Sequence, residues 1–547
     1  MAISAITVGL VATVFLLFYR LSRVGQRPKG YPPGPPTLPL LGNLHQIPKK
    51  QGHLQFQKWA EEYGPIYSLI LGTQVMVVLS SDQAIKDLLD KRSNIYSSRP
   101  ENYLGNIVSG GFRMLLMEYG ETWRMIRKVV HNSLNIKAAR AYVPYQDLEN
   151  KAMLLAILEQ PAFFIDHIRR YSNSLTTQML FGFRTLSIDD PRLKQLFHGF
   201  EKFSEVTGSQ LAALLNVFPI LRYLPDALVP MRKHSKELHR KEYDLYVGHY
   251  LETKKRLQEG KAKPCFCVDL VRAQVELGFS DGIAGYVSGS LLEAGSDTTS
   301  ATLVGFVQAM LLFPEVSKAA QAELDRVCGD RLPDLNDLRD LPYIRGCMKE
   351  SMRWMPTAIL GVPHAVIRDD EYMGYKIPKG AGVMWNVWAI HNDPKRHTDP
   401  RRFDPSRWAH DSQTSAEAAM NSDASKRDHF LFGAGRRLCQ GMHIADRSLF
   451  LAISRMLWAF DFERAVDEGT GKEIVPDMKE LIPESGLLVQ PKPFQASIKP
   501  RSERKANQVR EEWSKMTKLL DNDMQWETVP EGLIWRDYEP VEAPAKT

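Results

Sequence analysis

At 547 residues the chain is well past the roughly 250–300 residues at which one hydrophobic core stops growing, which excludes a single small module. With 44% hydrophobic and 24% charged residues it lies in the globular range, which excludes a disordered or collagen-like chain. The 70 Lys+Arg against 64 Asp+Glu leave a net charge of +6, too mild to imply nucleic acid but suited to an anionic membrane surface or an acidic partner protein.

Ala2 to Tyr19 contains no charged residue, and as a helix it approaches the ~30 Å of a bilayer's hydrocarbon core. Arg20, Arg23, Arg27 and Lys29 follow this run and only the start methionine precedes it. The positive-inside rule then predicts a single-pass anchor over residues 1–22 with the body cytosolic. A cleaved secretory signal is disfavoured, because the basic cluster lies after the apolar run. Residues 23–36 read as a basic, Pro-rich linker in which Tyr31-Pro-Pro-Gly-Pro-Pro36 forms a stiff strut. Five cysteines are too few for a disulfide framework, and Cys265-Phe-Cys267 lacks a second pair for zinc, so the folded part is expected to face a reducing compartment.

The body, residues 37–499, is predicted to be mainly α with a minor β-sheet region. Ile66–Leu71 and Val75–Leu79 read as a hairpin, and Val383–Ala389 as a further strand approached through the turn-rich Gly374–Gly380. Trp123 and Arg127, four apart, place an indole N–H and an always-charged guanidinium side by side, a pair suited to a carboxylate. From Gly285 to Pro314 the periodicity is helical, but Gly289, Gly295 and the run Ser296-Asp-Thr-Thr299 predict a helix weakened or bent in its middle, with Thr side chains bonding back to carbonyls, or else small residues kept for close packing. An acid beside a hydroxyl there is apt for proton delivery. Glu293 reads as a surface carboxylate, with a second relay role as the alternative.

Glu350 and Arg353 lie on one helical face and can form an ion pair, with a solvated surface pair as the alternative. In Phe430-Leu-Phe-Gly-Ala-Gly-Arg-Arg-Leu-Cys-Gln-Gly441 a cysteine precedes an apolar-periodic helix (Ile444, Ala445, Leu449, Ile453, Leu457). A helix N-terminus favours thiolate over thiol, as a metal ligand requires, and the glycines let backbone approach a flat ligand. Residues 500–547 form a charged extension with a helical stretch, Glu503 to Leu520, expected to pack on the surface or hang free.

Phe432, Gly435, Arg437, Cys439 and Gly441 match FxxGxRxCxG, and the chain thereby resembles the cytochrome P-450 family. Ala294-Gly-Ser-Asp-Thr-Thr299 is similar to its (A/G)GxDTT motif, Glu350-Ser-Met-Arg353 to ExxR, Trp123/Arg127 to WxxxR, and Phe403–Trp408 to FxPERF, with Ser406 and Trp408 departing from the pattern. The resemblance covers roughly residues 30–495 and implies the cytochrome P-450 fold. It implies haem b ligated by Cys439, with Phe432 shielding the sulfur and Trp123, Arg127, His364 and Arg437 contacting the haem, its propionates above all. Asp297 is implied as proton source and Thr298 as the hydroxyl that holds the oxygen intermediate. The resemblance also implies that Glu350, Arg353 and Arg407 form a structural cluster holding the cysteine loop.

The same resemblance implies a monooxygenase of the endoplasmic reticulum membrane, single-pass with a cytosolic catalytic domain, drawing electrons from NADPH through a cytochrome reductase, with cytochrome b5 as a further partner. It is most similar to fungal secondary-metabolism members such as the O-methylsterigmatocystin oxidoreductase group. An apolar polyketide, terpenoid or indole alkaloid fits the apolar residues Ile107, Val108, Leu211, Leu215, Ile359, Leu360 and Leu487, and no nucleic-acid partner is expected. The alternatives are oxidative coupling or ring formation without oxygen retention, and a haem-binding sensor without turnover.

Overall fold

The computed structural model describes residues 22–482 and 488–527, with scattered positions between 8 and 19. Fourteen of the 22 residues of the expected anchor fall outside the described residues, as does Leu487. Among the described residues no single helix is long and apolar enough to cross a membrane.

In chain order the main elements are α1 (Gly52–Tyr63), β1 (Ile66–Leu71), β2 (Gln74–Leu79), α2 (Tyr103–Ser109), α3 (Glu121–Leu134), α4 (Val143–Glu159), α5 (Phe164–Phe181), α6 (Pro191–Gly208) and α7 (Gln210–Val217). They continue as α8 (Met231–Gln258), α9 (Asp281–Leu312), α10 (Pro342–Trp354), β3 (His364–Ala365), β4 (Gly382–Trp385), α11 (Val387–His391), α12 (Met442–Ala459) and α13 (Glu503–Thr517). Helix dominates, as the periodicity predicts. The largest sheet has the order β1-β2-β4-β3, antiparallel at both ends and parallel between β2 and β4, where Met76 opposes Gly382 and Leu79 opposes Trp385.

The expected strand over Val383–Ala389 ends early. Asn386 accepts a hydrogen bond from the Ala389 N–H (3.0 Å) and starts α11, so side-chain capping overrides the β-propensity of Val387-Trp388. The turn-rich approach contains its own short strand, Tyr375–Ile377.

The main core surrounds α9, whose Phe306 and Met310 are fully buried, with Leu180 of α5, Leu148 of α4 and Trp458 of α12 in the same cluster. α9 is helical without interruption, and Thr298 and Thr302 bond back to the carbonyls of Ala294 and Thr298 as the sequence predicts. Its glycines serve close packing. A Cβ on Gly289 would come within 2.2 Å of the Tyr246 ring, and one on Gly295 within 2.6 Å of Thr176 Oγ1. A second core lies under the sheet (Val77, Val383, Trp385, Phe430), and a third joins α2, α6, α7 and α8 through Val108, Phe203, Val206, Leu215 and Leu238. This third core makes the α6–α8 region a lid with its own interior.

Both ends of the described chain are tied down. Arg27 donates to the Gly34 and Pro35 carbonyls and to Ser68, and the Ser68 N–H donates to Pro33 O (2.7 Å), so the proline strut lies against β1. At the other end α13 packs on α4, and beyond it Trp526 is buried, its indole N–H donating to Gln178 Oε1 (2.7 Å). Gln178 donates in turn to Glu149, a fully buried carboxylate paired with Arg170 and Arg184. Residues 500–527 are therefore part of the packed body.

Candidate active site

Cys439 sits immediately before α12, where the Gly441 and Met442 N–H groups face its sulfur and hold the thiol's proton affinity down. Burial acts the other way and is the larger effect, leaving the thiol raised. Yet Cys439 is exposed, unlike the four other, buried cysteines. A thiol that is both deeply surrounded and accessible faces space inside the protein. The loop is shaped by Gly435, whose φ of 62° and whose Cα, where a Cβ would stand 1.9 Å from Leu89 O, admit only glycine. Its N–H donates to Asp90 Oδ1 (2.6 Å), and Cys439 N–H donates to Phe432 O (2.9 Å), closing the loop around the cysteine.

The Glu350–Arg353–Arg407 cluster forms as expected. Arg353 grips Glu350 bidentately, Nε to Oε2 at 2.8 Å and Nη2 to Oε1 at 2.7 Å, both side chains fully buried, and Arg407 adds a longer contact of 3.4 Å. The departure at Trp408 is functional within the cluster, since its indole N–H donates to Glu350 Oε2 (3.1 Å). Ser406 hydrogen-bonds Asp404. What sequence reading missed is His391. Arg353 Nη1 donates to the His391 carbonyl (2.8 Å), and His391 Nε2 accepts the Phe430 N–H (3.0 Å), linking the cluster to the first residue of the cysteine loop. No sequence spacing signals this, because it joins α10, α11 and a loop across the fold.

Cations converge beside the loop. Arg127 of α3 donates through Nη2 to the Leu438 carbonyl. Arg437 donates to the carbonyls of Ser97 (2.9 Å) and Met117 (2.7 Å), and its guanidinium lies 4.0 Å from the Trp123 ring. Arg99, not singled out from sequence, is buried and donates to the carbonyls of Leu115, Val362 and Pro363. None of the three meets a carboxylate among the described residues. Burial, with repulsion from Arg127 on Arg437 and from Arg437 on Arg99, pulls Arg437 down to about 9, Arg127 to about 10, and Arg99 well below its usual range. His364 of β3 is buried and shares Nδ1 with Tyr96 O (2.6 Å), while its Nε2 has no partner. Burial and the neighbouring Arg99 keep it neutral.

On α9, otherwise largely buried, Ala294 is exposed and Asp297 and Thr298 are half-buried, so this turn also faces interior space. Burial pushes Asp297 up to about 6, opposed by Arg169 and reinforced by Glu293. Thr298 donates its hydroxyl to the Ala294 carbonyl (2.8 Å), leaving oxygen lone pairs free to accept. Glu293 is not a surface residue. It is buried and paired with Arg113. Of the expected substrate contacts, Val108 and Leu215 are fully buried inside the lid's core, with Ile107 and Leu211 packed against them.

An interior thiol at a helix start, a loop shaped by glycine, and cations with no acidic partner define a haem-thiolate protein. The cytochrome P450 family profile matches residues 32–498, and the chain belongs to that family. It is 62% identical over 97% of its length to the cytochrome P450 monooxygenase virE of Hypocrea virens, covering 96% of that protein. It is 57% identical to fogE of Aspergillus ruber, covering 98% of this chain and all of the relative. A zebra fish cytochrome P450 solved with abiraterone shares the fold, with a TM-score of 0.65 at 24% identity over 82% of this chain and 100% of that one. The protein is a cytochrome P450 monooxygenase, an oxidoreductase whose family works with haem iron held by a thiolate.

The residues present fit that group. A haem carries two propionates, and the unpaired Arg99, Arg127 and Arg437 supply positive charge without a counter-ion of their own. His364 presents a lone pair at Nε2 while Nδ1–H binds Tyr96, so it can donate to a propionate only after taking up a proton.

Proposed function

We propose that this chain is a microsomal haem-thiolate monooxygenase that inserts one atom of dioxygen into an apolar small molecule of fungal secondary metabolism, a polyketide, terpenoid or indole alkaloid. Electrons come from NADPH through a cytochrome reductase, with cytochrome b5 as an accessory donor. The body is cytosolic, anchored to the endoplasmic reticulum by residues 1–22. Support for the anchor is the uncharged run Ala2–Tyr19 followed by Arg20, Arg23, Arg27 and Lys29. The fungal relatives support the pathway class.

The observation that carries the reading is the thiol of Cys439, open to interior space at the start of α12 and flanked by unpaired cations. Bound there, haem b supplies one-electron chemistry and dioxygen activation, and thiolate donation favours O–O cleavage. The Gly441 and Met442 N–H groups stabilise Cys439 as thiolate. Arg127, Arg437 and Arg99 would hold the propionates, with the Trp123 ring 4.0 Å from the Arg437 guanidinium, and Phe432 with the Gly433–Gly435 turn would screen the sulfur from water. Asp297, raised to about 6, releases a proton readily near neutral pH. Thr298, its own hydrogen donated to Ala294 O, would accept a hydrogen bond from an O–H group brought to this turn of α9.

Expression with a reductase in a fungal host, under labelled dioxygen, tests the reading. One labelled oxygen in the product supports insertion. Full NADPH use with no label retained means coupling or ring formation, and no NADPH use in the presence of reductase and extracts of the source fungus means a sensor.

A further inference from the structure

Beneath the lid lies a buried charge cluster that haem binding does not use. Arg113, from the segment between α2 and α3, is 2% exposed. Its Nη2 donates to Glu242 Oε1 of α8 (2.8 Å) and its Nη1 to Glu293 Oε2 of α9. Tyr246, one turn beyond Glu242, donates its hydroxyl to Glu293 Oε1. Tyr286 of α9 reaches Glu242 Oε2 at 3.5 Å and lies 2.9 Å from His239 Nδ1 of α8. From α6, Phe203 stacks on Arg113 with 4.0 Å between guanidinium and ring centre. One guanidinium thus serves two buried carboxylates. The surplus negative charge is costly away from water, and the remedy is a proton. Burial, opposed by Arg113 and reinforced by the Glu293 charge, pushes Glu242 up to about 7, so Glu242 both holds and releases a proton near neutral pH.

Two features give this cluster an outer and an inner end. Glu242 and Tyr246 line a cavity of about 120 Å³ between α6 and α8, whose walls also carry His198, Lys202, His234 and Glu237. It has room and polar partners for several water molecules. Inward, Glu293 precedes Asp297 by four residues, which puts the two carboxyls on one face of α9, one turn apart.

We propose that Tyr246, Glu242 and Glu293 form the proton inlet of the distal site, carrying protons from water in the α6–α8 cavity to Asp297. The inference rests on the monooxygenase reading, in which Asp297 gives up protons. Every transfer balances. Tyr246 passes its hydroxyl proton to Glu293 and takes one from cavity water. Glu293 passes one inward through water and restores the acid form of Asp297, and Glu242 buffers the pair. No electron moves. Arg113 is a positioning residue that keeps both carboxylates within reach of Tyr246.

Tyr246→Phe removes one hydroxyl and leaves both ion pairs, while Glu293→Gln and Glu242→Gln preserve shape. With full-length holoenzyme, reductase and no added substrate, Tyr246→Phe and Glu293→Gln should retain haem content and the reduced carbon monoxide spectrum. NADPH oxidation should slow roughly tenfold, less than the ~10²-fold of a lost general acid because water can bypass one member. The solvent deuterium isotope effect should grow. A second measurement needs no turnover. The infrared band of a protonated buried carboxyl, recognised by its shift in heavy water, should be present at pH 7, largely lost in Glu242→Gln, and retained in Asp297→Asn. If Tyr246→Phe leaves rate and isotope effect unchanged, or Glu242→Gln leaves the band intact, the cluster is only a clasp between lid and core and the inlet is overturned. Wild-type protein lacking a thiolate-type spectrum would instead remove the monooxygenase reading, and the infrared result would still decide whether the pair holds a proton.

Discussion

Replacing Glu350 by alanine should show how strongly the cysteine loop depends on a remote ion cluster. Glu350 and Arg353 are fully buried, and the carboxylate accepts from Arg353 twice, from Trp408, from the Asp404 N–H, and from Arg407 at longer range. Removing one member of a buried pair leaves the other charge uncompensated, at about 3–5 kcal/mol. The Trp408 and Asp404 donors left without an acceptor add about 1–3 kcal/mol each. The total rivals the ~5–15 kcal/mol by which whole proteins are stable. Glu350→Ala should therefore accumulate as haem-free, protease-sensitive protein, measured as haem per protein after purification. Trp408→Phe removes one donor to the same carboxylate and should cost only about 1–3 kcal/mol. For a body of this size, unfolding entropy of about 1 kcal/mol per kelvin turns that into a melting shift of roughly 1–3 °C, with haem retained. Glu350→Ala protein with wild-type haem content and melting temperature would refute the cluster's role.

Gly435→Ala should fail to incorporate haem, because a Cβ would collide with the Leu89 carbonyl 1.9 Å away at a φ of 62°; normal haem content would contradict the loop geometry. Trp526→Ala should lower the melting temperature by roughly 3–5 °C, from about 3–5 kcal/mol for a buried tryptophan, although it lies beyond the family match. Asp297→Asn should stabilise the protein at alkaline but not acid pH. The folded carboxyl is raised to about 6 against about 4 unfolded, so the wild type loses stability as pH rises through that window and the penalty is complete above it. Melting curves at pH 4.5 and 8 should show a gain of about 1–2 kcal/mol at pH 8 only, discounted for the half-exposed side chain.

The parts of the site written in consecutive residues were legible in the sequence. The cysteine loop, the 350/353 pair and the 294–299 turn are local, and spacing alone puts their side chains on common faces. The hairpin was legible for the same reason. The parts that depend on distant partners were not. Glu293 reads as a surface acid until α8 and the Arg113 loop close over it, and Arg99 has no motif, being defined by three carbonyls from two other segments. Gly289 and Gly295 read equally as weak points of a helix or as sites of close packing, and only the folded chain, with Tyr246 and Thr176 pressed against them, decides for packing. Val383–Ala389 carried strand propensity throughout, and a single asparagine cap divided it. The role of the tail could not be seen because Trp526 meets Gln178 only in the folded chain.

The central claim is that Cys439 is the thiolate ligand of a haem, and the reduced carbon monoxide difference spectrum tests it most directly. The full-length protein should show the strongly red-shifted Soret band that a thiolate ligand produces. Cys439→Ser should lose that band, because a neutral hydroxyl is a far poorer donor to iron. A Cys439→Ser protein that kept the red-shifted band would contradict the assignment.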